Sequence, residues 1–358
     1  MSIKKIAKEA GVSTATVSRV LNNPGYKCSS EELRERIWKI ARELNYMPNE
    51  AARNLKKGIT DTSQKVWYLD VLMTRTGNLE TDPFFSELLR VIESEIHRQG
   101  CILMHIFHQP LFSNDRKCRT ENIDKVIAQM EPDGDIRSDG LIIIGKCNDN
   151  VLKKLSAKYK SIVSVNRNST NYLVDEVICD GKRIAALAVK YLIGLGHRKI
   201  GYVGDCHNES RYKGYQDTLF HYGIDMDISY VIEAEHTEAE GYAVMERLIQ
   251  RGDAPTAIYC ANDMIAIGML KCLNKYKNRY YVPSIISSDD IEEAQYTKPM
   301  LTSVRLPKEE MGKFALYLLV DRLSGGHKGI VRTELEGKLM IRESCTLVEN
   351  ANRMEYYI

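Results

Sequence analysis

The sequence predicts a small all-α head carried by a body of two doubly wound, parallel-sheet α/β lobes. Three features carry that prediction. Apolar residues in the first 45 positions recur at helical spacing and are punctuated by turn residues. A polar stretch, Gly58–Gln64, then separates this head from the rest. Beyond it, short apolar runs alternate with amphipathic helical stretches, and the alternation happens twice.

At 358 residues the chain has room for two or three domains with substantial cores. No apolar run approaches the roughly 20 residues that span a bilayer. The N-terminus enters an amphipathic helix without an apolar signal segment, so a cytoplasmic protein is expected. Nine cysteines, an odd number with no C-x-x-C pair, favour reduced thiols over a disulfide framework or zinc site. Charge is unevenly placed. Residues 1–58 hold twelve Lys/Arg against six Asp/Glu, a net +6, and the remainder holds 38 against 42, a net −4. A basic head on a mildly acidic body suits a polyanionic partner for the head.

In IKKIAKEAGVSTATVSRVL (Ile3–Leu21), Ile3, Ile6, Ala7 and Ala10 share one helical face. Gly11 supplies the positive φ that ends the helix, and Ser13 or Thr14 caps a second one. Val17, Val20 and Leu21 then face inward, which leaves Thr14, Ala15, Thr16, Ser18 and Arg19 outward. Small residues allow close approach to a major groove, hydroxyls bond phosphates or bases, and Arg forks onto guanine. The bland alternative is a simple αα-hairpin. Asn22–Gly25 is a loop. Ser29 or Ser30 caps a third helix with the stripe Leu33, Ile37, Ile40, Ala41 and Leu44. After Pro48, Asn49 can cap a short segment carrying Arg53, Leu55, Lys56 and Lys57, which reads either as a linker or as a helix ordered on DNA with Leu55 wedged into the minor groove.

In the body, Val66–Met73, Cys101–Phe107, Asp139–Gly145 and Ser161–Asn166 read as strands, with helices at Pro83–Gln99, Asn122–Met130 and Val151–Tyr159 between them. A second set follows, with strands at Lys199–Val203, Tyr230–Glu233, Pro255–Cys260 and Ser284–Ser288. Its helices are Gly181–Leu195, Glu209–Tyr222, Glu238–Arg251 and Asp263–Lys275. A late helix, Lys308–Leu323, and a final strand pair within Val331–Glu343 return to the lobes. Two such lobes side by side leave a cleft between their strand ends, where a small ligand is expected.

These residues resemble the lactose/galactose-repressor (LacI/GalR) family of bacterial transcription regulators over nearly the whole chain. The head phrases IAKEAGVSTATVSRVLNNPGY and RELNYMPNEAARNLKKG carry the most specific likeness. Further phrases follow in order: YLIGLGHRKIGYVG, RYKGY, PTAIYCANDMIAIG, KPMLTSVRLPKEEMGKFA and RESC. The resemblance implies a homodimer on a pseudo-palindromic double-stranded operator and a periplasmic-binding-protein-like body whose lobes are joined by three crossovers. It implies a helix-turn-helix domain at 1–48 and a hinge at 49–64. The N-terminal effector subdomain is then 65–178 with 305–330, and the C-terminal one 179–304 with 331–358.

Carried over residue by residue, Thr14, Ala15 and Arg19 stand where the family reads bases, and Ser13, Thr16 and Ser18 where it touches backbone. Asn49 and Arg53 are DNA-binding candidates on the hinge, where Leu55 matches the leucine inserted at the operator centre. For the effector, Phe84 and Phe85 match positions flanking the ligand, Arg211 an arginine that holds it, and Asn262 and Asp289 polar positions facing it. Such a set suits a polyol, since amides and carboxylates share hydroxyl protons, Arg donates in a fork and an aromatic face stacks on a sugar ring. Each has a bland alternative: a core aromatic for Phe84, a surface charge for Arg211, a helix cap for Asp289. The chain departs from the pattern at three places. Asn166 replaces the usual Asp, although Arg167 follows it as expected. Ser287 and Ser288 replace a glycine–aromatic pair, and His236 stands near a position that is often aromatic.

The reading is a sequence-specific repressor of a carbohydrate-utilisation operon, controlled allosterically by a small sugar-like effector. The alternative is a solute-binding or sensor protein whose ligand tightens DNA binding or is not a sugar. No catalytic motif, cofactor or metal-ligand spacing is present, so no enzyme and no membrane partner is expected. His197, in LGHRK, reads as structural.

Overall fold

The computed structural model describes residues 3–22, 30–43, 66–74, 82–113, 117–130, 137–207, 209–276 and 281–350. The chain divides into two compact units, Met1–Lys65 and Val66–Ile358.

The head holds α1 (Ile3–Ala10), α2 (Thr14–Asn22) and α3 (Glu31–Glu43). Gly11 ends α1 at φ +66°, a region that costs other residues a steric clash. Of the two candidate caps for α2, Ser13 serves: its Oγ accepts from the Thr16 N–H at 3.1 Å. Ser30 caps α3 in the same way, from the Leu33 N–H at 3.2 Å. Ile6, Ala7, Ala10, Val17, Val20 and Ile37 form the core, with Val12, Leu33 and Ile40 packed on it. Arg36 Nη2 of α3 donates to the Ala10 carbonyl at 2.9 Å and satisfies an end of α1 that the helix leaves open. Leu44, Asn49, Arg53 and Leu55 lie outside the described residues, as do the side chains of Ala15, Ser18, Leu21 and Ala41.

In the body, the first lobe runs β1 (Tyr68–Met73), α4 (Pro83–Arg98), β2 (Ile102–His108), α5 (Lys117–Thr120) and α6 (Ile123–Ala128), then β3 (Gly140–Ile144), α7 (Asp149–Ser156), β4 (Ser161–Asn166) and β5 (Asp175–Ile178). The second runs α8 (Gly181–Gly194), β6 (Ile200–Gly204), α9 (Ser210–His221), β7 (Val231–Glu233), α10 (Glu238–Ile249), β8 (Ala257–Cys260), α11 (Asp263–Tyr276), β9 (Ser284–Asp289) and β10 (Thr302–Arg305). The chain ends with α12 (Lys308–Leu323), β11 (Arg332–Glu334) and β12 (Lys338–Met340).

The sheets repeat one winding. The first has the order β11-β5-β4-β3-β1-β2 and the second β12-β10-β9-β8-β6-β7. Each begins in the middle, steps once outward and then returns past its own start. That puts a switch point at the carboxyl ends of β1 and β3 in one lobe and of β6 and β8 in the other. All neighbours are parallel except β12, which runs antiparallel to β10. The central strands are apolar along their length, as a sheet covered on both faces requires: Leu141–Ile144 and Ala257–Cys260 are wholly buried.

The chain passes between lobes three times: between β5 and α8, between β10 and α12, and between β11 and β12. The helix α12 returns to the first lobe as expected, with Gly312 pressed against Val91 and Ile92 of α4. The boundary drawn at 331 needs correction. The resemblance implies that residues 331–358 belong whole to the second lobe, but Arg332–Glu334 joins the first sheet, with Arg332 opposite Glu176. The final strands therefore do not pair with each other. The edge of β5 explains this, because its free backbone groups need partners: Glu176 N–H donates to Val331 O at 3.0 Å and Leu335 N–H to Ile178 O at 2.8 Å.

His197 is structural. Fully buried at the base of the second lobe, its Nε2–H donates to the Thr346 carbonyl at 3.0 Å and its Nδ1 meets the Thr256 hydroxyl at 3.0 Å. Burial holds its pKa below the usual histidine value, so the ring is neutral there. Among the described residues no helix is long and apolar enough to cross a membrane.

Candidate functional sites: the head surface and the inter-lobe cleft

On the head, the cap Ser13 and the first residue of α2, Thr14, are exposed, as is Arg19 in its last turn, and Thr16 is half-buried. Ser13 and Thr16 hydroxyls lie 2.9 Å apart, so the cap residue also orients its neighbour. The helix has no acidic residue in its first turn, which leaves the positive end of its dipole open to an anion.

In the body, the residues singled out in the sequence gather at the carboxyl ends of the strands but form two groups. The first is a stack that joins the lobes. The Arg167 guanidinium, following β4 of the first lobe, is ion-paired to Asp289 at the end of β9 in the second. Its Cζ lies 4.3 Å from the centre of the Phe84 ring. Phe85 meets Phe84 edge to face, with 5.3 Å between ring centres. Asp289 (φ +122°) and Asp290 (φ +49°) both occupy backbone regions unusual for non-glycine residues. Asp290 is anchored there by Arg305 and Arg342. Asp289 thus serves no helix as a cap. Burial pushes its carboxyl up to about 6, against the pull of Arg167 and Arg211.

The second group centres on Arg211, one of the largest fully buried side chains, at 1% exposure. A surface charge it is not. Glu209, which caps α9, grips its guanidinium from both carboxylate oxygens, Nε–Oε1 at 2.9 Å and Nη2–Oε2 at 3.2 Å. Nη1 donates to the Ala261 carbonyl, and Nη2 lies 3.3 Å from His236 Nε2. Burial alone disfavours the charge, but the Glu209 carboxylate more than offsets it and keeps the arginine protonated. Asn262 Oδ1 accepts from the Ile265 N–H at 3.1 Å, and its Nδ2 donates to the His236 carbonyl at 3.3 Å. Asn262 therefore caps α11 and props the His236 loop.

A cavity of about 720 Å³ opens between the lobes, lined among others by Phe85, Asn166, Arg167, Arg211 and His236. Phe84, Asn262 and Asp289 stand behind its wall and not on it. For Phe84, 2% exposed, the core reading holds, with the guanidinium of Arg167 laid over it. Asn166 Oδ1 accepts from the Arg167 N–H at 2.7 Å and so orients that residue. The sequence reading missed the cavity's carboxylates: Asp82, Asp205, Glu209, Glu233, Glu235 and Glu240 all line it. Asp205 and Glu233 sit where β6 and β7 end, and that position was their one available signal. Asp205, His207 and Glu233 each bring a possible ligand atom within 4.8 Å of the others. Both carboxylates already accept backbone N–H groups, Glu233 from Cys206 at 2.8 Å and Asp205 from His207 at 2.6 Å.

The serines that depart from the family pattern have partners of their own. Ser287 donates to the buried Asp263 carboxylate at 2.5 Å, where Ser303 (2.6 Å) and the Ile291 N–H (2.8 Å) also converge. Ser288 Oγ meets the Tyr259 hydroxyl at 2.9 Å. Burial, with the Asp289 charge adding to it, raises the Asp263 carboxyl to about 7. In the folded protein Asp263 takes up a proton as pH falls through about 7, whereas the unfolded chain waits until roughly 4. Its contribution to stability grows over that window and is lost as pH rises. Melting temperatures from pH 8 to 5 should therefore climb relative to those of Asp263→Asn, whose amide does not titrate. Parallel curves would refute this.

Two family models match the chain: bacterial regulatory proteins of the lacI family over residues 2–49, and a periplasmic binding protein-like domain over residues 189–345. The HTH-type transcriptional repressor MelR of Bacillus subtilis (strain 168) is 30% identical over 96% of this chain and 97% of its own length. Among solved structures, a transcriptional regulator CelR–cellobiose complex superposes with a TM-score of 0.64 at 24% identity, over 96% of this chain and 100% of that one. A lac repressor dimer bound to operator and the anti-inducer ONPF gives a TM-score of 0.64 at 22% identity, over 97% and 99%. The head, the winding of both lobes and the relative matched end to end lead to one conclusion: this chain belongs to the lacI family of bacterial regulatory proteins.

Proposed function

We propose that this ligand-controlled, DNA-binding repressor takes its control from a saccharide-like polyol held in the inter-lobe cavity, and that its operator is chosen by α2. The observation that carries the reading is the cavity wall. It offers a fixed cation, Arg211, an amide, Asn166, an imidazole, His236, and an aromatic edge, Phe85. Hydroxyls of a sugar can both donate to and accept from such a set, and its ring can lie on the aromatic face. Cellobiose in the CelR complex supports that ligand class. The guanidinium charges are already matched, Arg211 by Glu209 and Arg167 by Asp289, and the other carboxylates of the wall can accept from sugar hydroxyls.

On this reading Thr14, Ala15 and Arg19 read bases, Ser13, Thr16 and Ser18 hold the backbone, and Asn49, Arg53 and Leu55 act at the hinge. The lac repressor dimer on its operator supports a two-fold arrangement of two heads. A ligand that prefers one inter-lobe angle alters operator affinity by its differential affinity for the two states. About 1–3 kcal/mol of coupling gives roughly 5- to 150-fold.

Thermal-shift screening against mono- and disaccharides tests the ligand class, since a ligand bound only by the native state raises its melting point. A screen in which no saccharide stabilises the protein overturns the sugar reading. Operator affinity with and without the hit then gives the sign of control. For the head, Arg19→Ala is expected to weaken specific binding by about 1–3 kcal/mol and to spare non-specific binding. An equal loss on both kinds of DNA would mean that Arg19 touches only phosphate.

A further inference from the structure

Beside the effector cavity a second groove, of about 1020 Å³, runs between the lobes and shares with it only the wall formed by Lys146 and the segment 166–168. Its charge is strongly one-sided. Arg119, Lys146 and Lys153 of the first lobe and Lys182 and Lys213 of the second all line it. Arg167 and Arg332 bring the cations to seven, against two carboxylates, Asp149 and Asp180. Asp180 is committed as the cap of α8, where it accepts from the Lys182 N–H at 2.9 Å. Lys182 is shared with Asp217 at 3.1 Å, and Arg332 with Glu334 at 3.4 Å and the buried Glu176 at 3.7 Å. Arg119, Lys153 and Lys213 pair with no carboxylate among the described residues.

Two further features act in the same direction. The helices α7, α8 and α9, of 8, 14 and 12 residues, all open onto this groove with their first turns. Their leading N–H groups are capped by side chains, so they contribute field and not direct donors. The other feature is a buried donor. Arg167 is 7% exposed and stands on the wall that the groove shares with the effector cavity; its Nη2 holds Asp289, but its Nε has no acceptor. A buried guanidinium N–H without a partner is rare in a folded protein and calls for an acceptor.

We propose that this groove is a second ligand site, which takes the phosphomonoester group of a small molecule. A compact dianion fits better than a nucleic-acid backbone. The cations face one another across two lobes in a volume suited to a small molecule, whereas DNA would need them along one open surface. Because Lys153 stands on one lobe and Lys213 on the other, the bound anion draws the lobes together.

The test is isothermal titration of the full chain at low ionic strength with inorganic phosphate, glucose 6-phosphate and glucose. The variant is Lys153→Gln with Lys213→Gln, both exposed positions, and its control is Lys153→Arg with Lys213→Arg. The two phosphate-bearing probes are expected to bind, about tenfold or more weakly in the glutamine variant and near-normally in the arginine one. Preference for glucose 6-phosphate identifies an organic ester as the ligand, and equal binding identifies free phosphate. No binding of either probe at millimolar concentration overturns the proposal. So does equal binding by the glutamine variant, which would place the anion on the basic head. The saccharide reading of the neighbouring cavity fails separately, through the screen of neutral sugars.

Discussion

Arg211→Ala is expected to remove about 3–5 kcal/mol of stability, the usual cost of breaking one half of a buried ion pair. The loss arises less from the missing arginine than from what it leaves behind. Glu209, 6% exposed, loses the guanidinium that both of its oxygens hold, and the Ala261 carbonyl loses its donor. Denaturant titration read by Trp67, buried at the root of the first sheet, measures the effect. The informative companion is the double variant Arg211→Met, Glu209→Gln. Removing both charges spares the cost of an orphaned one, so the double variant should be more stable than Arg211→Ala alone. Additive losses would mean that the two residues do not act as a pair. In the double variant, saccharide binding should remain impaired even where stability returns, which separates the residue's two roles.

The second large effect is expected at a pair of glycines. A Cβ on Gly268 of α11 would lie 2.0 Å from the Glu238 carbonyl oxygen, and one on Gly241 of α10 2.0 Å from that of Ile265. The two helices touch backbone to backbone there. Alanine is the better helix former by about 1 kcal/mol at either position. That gain cannot offset a clash with backbone, which no rotamer change relieves, and a net loss of about 3 kcal/mol or more is expected for Gly268→Ala. Thermal melting measures it, and an unchanged melting temperature would mean that the helices can part freely. The consequence reaches the cavity, since α10 begins two residues after His236 and shifting it moves that ring against Arg211.

Much of this was readable in the residues. Helix Lys308–Leu323 and strand Ser161–Asn166 have the same limits in the sequence reading and in the fold, because each has a clean apolar pattern with polar punctuation at both ends. Strands Asp175–Ile178 and Thr302–Arg305 went unread. At four residues each, with acidic or hydroxyl side chains inside, they carry no periodic signal. Their strand state comes from neighbours: β5 is hydrogen-bonded to β4 and β11, and β10 to β9 and β12. The division of 331–358 between lobes failed for the same reason, since a three-residue strand goes to whichever sheet edge lies open to it.

Sequence alone was enough to place the family through its resemblance phrases, and to lead one to expect a three-helix head capped by Ser13 or Thr14 and by Ser29 or Ser30, the two-fold βαβ repeat, and a cleft set that included Arg167, Arg211, His236 and Asp289. The helices, caps and strands rest on local chemistry, namely a helix period, a capping hydroxyl and a strand end, and the cleft residues on the family resemblance. Only the tertiary structure decided who meets whom across that cleft. It paired Arg167 with Asp289 over Phe84, committed Arg211 to Glu209, turned Asn262 into a cap, and collected seven cations around a second groove. Lys153 and Lys213 are 60 positions apart in the chain, and nothing at either position refers to the other. Electrostatic energy depends on distance in space, and that distance exists only once both lobes are wound and joined.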